Sequence, residues 1–209
     1  FGKWTQILER PFLDDKETFP VWYAWDCYAK ALALSALGRV VKAEAAVAAF
    51  HDAVSRIPST RYLHNVTSLQ MFGIASEMLA GELAYRRGNL DVAFAHLRKG
   101  VSLDDGLPYD EPWGWTVPVR HALGALLFEA GGVEHVEAAK KIYEEDLHKY
   151  PGNVWSLVGL KGCYEEQKRL FPESLSEALD AALSSCEDAE SMRHSCFCAG
   201  QQPNECGCK

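Results

Sequence analysis

The chain has 209 residues, 48% of them hydrophobic, and a formal net charge of −8. That length buries one sizeable core or one continuous solenoid core, and no apolar run reaches membrane-spanning length, which argues against membrane insertion. The acidic balance leaves no Lys/Arg stripe to displace counterions from phosphates. General nucleic-acid binding is therefore disfavoured, and basic or neutral partners fit better.

The opening Phe1-Gly2-Lys3-Trp4 carries no initiator Met and no signal-type segment. It has the look of the interior of something longer, a fragment or processed product, and assigns no compartment between cytoplasm and organellar lumen. Residues 4–10 resemble the end of a helix. Pro20 opens the first full helix ahead of Val21-Trp22-Tyr23-Ala24-Trp25. It is expected to run to about Leu37, where Gly38 is free to take a left-handed cap. Its partner spans about 40–57, with Ala43, Ala46, Val47 and Phe50 on one face, and Pro58-Ser59-Thr60 stops it. A second pair is expected over 64–87 and 90–103 around Gly88-Asn89. A third is expected over 115–130 and 134–150, ending at Pro151-Gly152-Asn153. A fourth helix runs from Val154 to about Arg169, and Pro172 opens a last one over 174–183, a solvating cap. Three- and four-residue apolar spacing dominates, with no alternating strand.

The pairs share a small–Gly–Ala recurrence: Ala31, Gly38, Ala43, then Gly81, Gly88, Ala93. Gly124 and Gly131 repeat its first half, with Ala138 displaced by a two-residue insertion. The next unit opens as Trp155-x-x-Val158-Gly159, close to the W-x2-L-G start of a tetratricopeptide repeat. Such helix pairs cannot bury their apolar faces alone and must stack on neighbours. The expected fold is all-α: a right-handed tetratricopeptide-like array of three to four helix pairs over 1–187, followed by a Cys-rich extension over 188–209. The Gly-to-Gly intervals exceed the usual period of about 34 residues, so first helices and linkers are lengthened.

Two segments carry a family resemblance. One is Leu107-Pro108-Tyr109-Asp110-Glu111-Pro112, continuing through Trp113 and Trp115 to Pro118-Val119-Arg120. The other is Tyr143-x-Glu145-Asp146-Leu147, followed by Pro151-x-Asn153-x-Trp155-Ser156-Leu157. Together with Phe1-Gly2-Lys3-Trp4-x-x-Ile7-Leu8, they resemble the C-terminal part of a family of large, mostly uncharacterised tetratricopeptide-repeat proteins, over about residues 1–170. The resemblance implies the repeat fold and carries no activity with it. Members have a His-rich N-terminal half that this chain lacks, and Val154 stands where the family has Gly.

Candidate functional residues fall into three groups. In the 104–120 loop, Asp110 and Glu111 suit a helix N-terminus, and Arg120 is placed to pair with either carboxylate and pin the loop. The alternative is a lid or clamp in which Tyr109, Trp113 and Trp115 stack on a ligand while Arg120 anchors an anion and His121 borders it. The second group is the concave face expected from the repeat register: Trp25, Tyr28, Leu32 and Ser35; Ala75, Met78, Glu82 and Tyr85; Pro118, His121, Ala125 and Phe128. It is aromatic, and it lacks the Lys/Asn set that clamps a chaperone's C-terminal carboxylate. The rival reading is that these aromatics simply pack. The third group is Cys196-Phe197-Cys198 and Cys206-Gly207-Cys208. Two C-x-C pairs with turn residues between them suit a four-thiolate zinc or copper(I) site, or disulfides.

The seven histidines show no HExxH spacing, and no nucleophile elbow, phosphate-cradling loop or dinucleotide fingerprint is present. These observations favour a non-catalytic scaffold or assembly subunit that binds a protein partner through its aromatic face. The alternative is the C-terminal half of a metal-dependent enzyme whose His-rich half is missing here; a third reading is a subunit held permanently in a larger assembly.

Overall fold

The structure, a computed structural model, describes residues 3–115 and 117–186. The four tail cysteines, and with them the 188–209 extension, lie outside the described residues. The described chain is all-α apart from one short hairpin, and falls into two compact units, Lys3–Val117 and a second that begins at Pro118.

In the first unit, α1 (Trp4–Glu9) packs on α2 (Pro20–Ala36), which pairs with α3 (Val40–Ser55). Pro20 occupies the first helical turn of α2, where its missing N–H costs nothing. Gly38 and Gly88 take positive φ values of 68° and 79°, closing the α2–α3 and α4–α5 turns as their positions predict. Helix α4 (Ser68–Arg86) packs on α2, on α3 and on α5 (Leu90–Asp105).

Two features differ from the periodicity reading. Residues 64–67 are not helical: Tyr62–Leu63 (β1) and Val66–Thr67 (β2) form an antiparallel hairpin turned at His64-Asn65. Strands of two residues are too short to alternate, so no pattern announces them. Helix α4 starts only at Ser68, where Thr67 and Gln70 form a reciprocal capping box. The core of this unit is aromatic. Phe50 and Phe72 rings lie 5.9 Å apart, Tyr28 sits 6.1 Å from Phe50, and Trp25 sits 5.1 Å from Phe72.

The second unit holds α6 (Val119–Ala130), α7 (Gly132–Lys149), α8 (Val154–Glu166) and α9 (Glu173–Ser184). Helix α8 packs on both α7 and α6, and α9 on α8. Pro118 precedes α6, so the helix begins at Val119 rather than near Trp115. Asn153 caps α8, its Oδ1 accepting from the Trp155 and Ser156 amides. Tyr143 is fully buried, and its ring fills the space left by two glycines. A Cβ on Gly124 would stand 2.6 Å from its Cε1, and one on Gly159 would stand 2.3 Å from its Cζ.

The two-residue insertion expected before Ala138 is absent. Helix α7 starts directly after Gly131, and Val136 is buried at the register position held by Ala43 and Ala93 in the other pairs. The position requires a buried apolar side chain rather than Ala in particular, and Val136 meets that requirement as Ala43 and Ala93 do.

Candidate functional site

The loop between α5 and Pro118 is a strap built into the first unit. Asp104, buried at the end of α5, accepts a hydrogen bond from Trp113 Nε1 at 2.9 Å. Leu107 is buried beneath Gly114, and Gly114 lies against Val66 so closely that a Cβ there would stand 2.6 Å from the valine Cγ2. Asp110 is the joint between strap and hairpin. Its carboxylate accepts from the Asn65 amide at 3.2 Å and from the Glu111 amide at 3.1 Å, while Asn65 Nδ2 donates to the Tyr109 carbonyl at 3.1 Å. A buried carboxylate held by backbone donors is a structural clamp; its lone pairs are committed.

Trp115 carries the strap into the core. Its ring lies 5.5 Å from that of Trp25 and 6.0 Å from that of Tyr28, and its indole N–H is buried without a hydrogen-bond partner among the described residues. Tyr28 in turn donates its hydroxyl hydrogen to the thioether sulfur of Met78, Sδ, at 3.6 Å. Of the expected concave face in this unit, Tyr28, Leu32, Ser35, Ala75, Met78 and Glu82 are buried, and Trp25 is half-buried. Tyr85 is half-buried, with its ring 6.2 Å from Phe94 and the Arg86 guanidinium 5.2 Å from its centroid. Arg86 also donates to the buried Glu82 at 2.9 Å.

The aromatic residues that do reach solvent are others. Tyr109 is 68% exposed and its hydroxyl bonds to Glu111. Tyr62 and Leu63, 65% and 45% exposed, stand on the hairpin that Asp110 clamps. Trp22, 66% exposed, projects from α2. No sequence signal marks Tyr62 and Leu63, which fall between the Pro58-Ser59-Thr60 stop and the helix expected from residue 64.

In the second unit, His121 and Asp146 meet Ser156. Ser156 Oγ donates to Asp146 Oδ2 at 2.6 Å, and His121 Nε2 approaches the same oxygen at 3.0 Å. All three residues are 2% exposed or less. The residue types are those of a nucleophilic triad, but the order is wrong: the carboxylate sits between serine and histidine, so no imidazole is positioned to take the hydroxyl proton. The arrangement instead ties α6, α7 and α8 together through one buried carboxylate. Arg120, half-buried beside it in sequence, has its Nε 3.6 Å from Glu145 Oε2.

A further polar cluster escaped the sequence reading. Glu77 on α4 accepts from His96 Nδ1 at 2.7 Å and pairs with Lys99 at 2.6 Å. Burial works to raise the Glu77 pKa, but the hydrogen bonds from Lys99 and His96 outweigh it and the net shift is downward. Cys163 is buried in α8, and that burial pushes its thiol up to about 12. It is a packing residue rather than a nucleophile.

Among the described residues, no group of three or more His, Cys, Asp or Glu side chains is placed to hold a metal ion, and no helix is long and apolar enough to cross a membrane. No family model, no curated protein and no solved structure matches the chain.

Proposed function

We propose that this chain is a non-catalytic, tetratricopeptide-like repeat scaffold that binds a protein partner through the hairpin and strap of its first unit. The repeat reading draws support from the succession of helix pairs, in which α4 packs on both members of the α2–α3 pair. It is also supported by the shared register of Ala43, Ala93 and Val136 beneath neighbouring helices. The observation that carries the binding reading is the exposure of Tyr62, Leu63 and Tyr109 around the Asn65–Asp110 joint. Aromatic groups held on a fixed backbone lose little conformational freedom on docking, which is what interface anchors require. In this reading Trp25, Tyr28, Trp113 and Trp115 are the framework under the anchor surface.

A photoreactive cross-linker placed at position 109 should trap one discrete protein, and the same group at Val92 on α5 should not. Replacing Tyr62 and Tyr109 together by serine should abolish capture by the full chain with its helical circular dichroism unchanged. Undiminished capture by that folded variant would overturn the proposal.

The tail belongs to the same proposal as a clasp outside the described residues, in which Cys196, Cys198, Cys206 and Cys208 either hold zinc or copper(I) or pair as disulfides. Native mass spectrometry separates the two: one metal ion gained and lost on Cys→Ser substitution, or two hydrogens missing per bridge. An unaltered mass eliminates both.

A further inference from the structure

A cavity of about 160 Å³ opens beside the start of α2 in the first unit. Drug-sized ligands occupy pockets of about 300–1,000 Å³, so this one suits a single small charged group. Its walls include Lys16, Arg56 and Arg61, against one carboxylate, Glu17. That is a local excess of positive charge on a chain whose net charge is −8.

Among the described residues, two of the three cations are left without a carboxylate. Arg56 bonds to Asp52 one turn back on α3, and both side chains are about half-exposed or more. Lys16 and Arg61 have no carboxylate partner among the described residues, and the Lys16 ammonium lies 5.9 Å from the Tyr23 ring centroid. Arg61 is held in place by its backbone: its N–H donates to the Pro58 carbonyl at 3.0 Å, and its carbonyl accepts from Ser68 N at 2.9 Å. Thus the turn after α3 and the hairpin together present its guanidinium to the cavity wall.

Two further features favour an anion. Pro20, at the first turn of α2, also lines the cavity, and that 17-residue helix has neither a side-chain cap nor an acidic residue in its first turn. Its positive end therefore has no side-chain cap, and Glu17 is the carboxylate that shares the wall with it. Helix α3 ends at the same place, but its opposing carbonyls are already occupied, since Ala53 and Val54 accept from the Arg56 and Ile57 amides. Tyr23 completes the wall as a neutral hydroxyl: burial raises its pKa, the adjacent Cys27 adds to the rise, Arg56 offsets part of it, and its partner Asp52 acts in the opposite sense to Arg56.

We propose that the pocket formed by Lys16, Tyr23, Arg56 and Arg61 binds a phosphate monoester or free phosphate. A phosphomonoester carries about −1.5 to −2 charge at neutral pH, and with Arg56 paired to Asp52, Lys16 and Arg61 are the cations left to meet it, against Glu17. Two guanidiniums offer forked donors to its oxygens, a geometry for which arginine is suited. This site is distinct from the Tyr62–Tyr109 surface, and its test does not depend on that reading.

The experiment is a titration of the full-length chain at constant ionic strength, read by the amide and Arg Nε–H resonances of Arg61 and Arg56. The probes are inorganic phosphate, phosphoserine, acetate and chloride. Saturable shifts at these residues are expected with phosphate and phosphoserine, and weaker effects with acetate. Affinity should fall roughly tenfold in Arg61→Ala, and further when Lys16→Ala is added, with Arg61→Lys recovering part of it. The unperturbed spectrum of α4–α5 residues certifies that each variant is folded. Absence of saturation, equal response to acetate, or unchanged binding in the folded double variant overturns the proposal. Phosphate binding without phosphoserine binding confines the site to the free ion.

Discussion

Asp146 is the residue on which the second unit turns. One of its oxygens receives both Ser156 and His121, and the other is buried without a partner among the described residues. Removing the carboxylate strands two buried polar groups at once. Asp146→Ala is accordingly expected to cost about 3 kcal/mol or more, because each unsatisfied group keeps its full desolvation penalty. Asp146→Asn, which retains an acceptor oxygen, should cost clearly less. Denaturant unfolding of the two variants measures the difference, and equal losses would show that the negative charge matters rather than the retained acceptor oxygen and side-chain volume. Glu77 supplies a pH dependence of known sign. Its folded pKa lies below the ordinary 4.5, so as pH falls the unfolded chain takes up the proton first. The stabilisation is whole above the unfolded value and drains away as pH drops through the folded one. Glu77→Gln should flatten the fall in stability below about pH 4.5, and a variant whose acid limb superimposes on that of the parent would refute the assignment.

At the scale of helices, the decisive contact is Tyr143 of α7 lodged between Gly124 of α6 and Gly159 of α8. The close approach is made possible by two missing methyl groups. Gly159→Ala places a Cβ within 2.3 Å of the tyrosine ring, and the resulting overpacking should cost about 1–3 kcal/mol. Shortening the ring residue should relieve it, so Gly159→Ala in a Tyr143→Val background is expected to be much less harmful than in the parent. A double-mutant cycle measures that coupling, and additive effects would mean that the glycine is needed for its backbone instead. The helix boundaries were legible because their signals are local: Pro20 at a start, Gly38 and Gly88 at ends. The hairpin was less so. Its one written signature is the Thr67-x-x-Gln70 capping pair, which marks the true start of α4 and thereby excludes residues 64–67 from it.

For the molecule as a whole, the helical class and the order of the elements follow from apolar spacing, while the organisation of the site does not. Asp110 finds Asn65 across 45 positions of sequence, and His121 finds Asp146 across 25. Nothing next to either residue specifies such a partner. The aromatic positions illustrate the same limit. A helical register places Trp25 and Tyr28 on one face, yet what covers that face is Trp115, delivered by a strap whose path is set by Asp104, Leu107 and Asp110. The division into two compact units, each with its own buried centre around Phe50–Phe72 or around Tyr143, likewise arises from packing that no single helix pair displays.

The Trp25–Trp115 pair has an optical consequence. Two indoles 5.5 Å apart at 35° form a chiral chromophore dimer, one half on a helix and the other on the strap. Their coupled near-ultraviolet signal exists only while the strap is seated. Asp110→Ala, which releases the strap from the hairpin, should therefore dim the near-ultraviolet circular dichroism while leaving the far-ultraviolet helical bands in place. A near-ultraviolet spectrum identical to that of the parent would mean that the indole contact holds the strap unaided. The chain thus carries its own label-free gauge of strap seating.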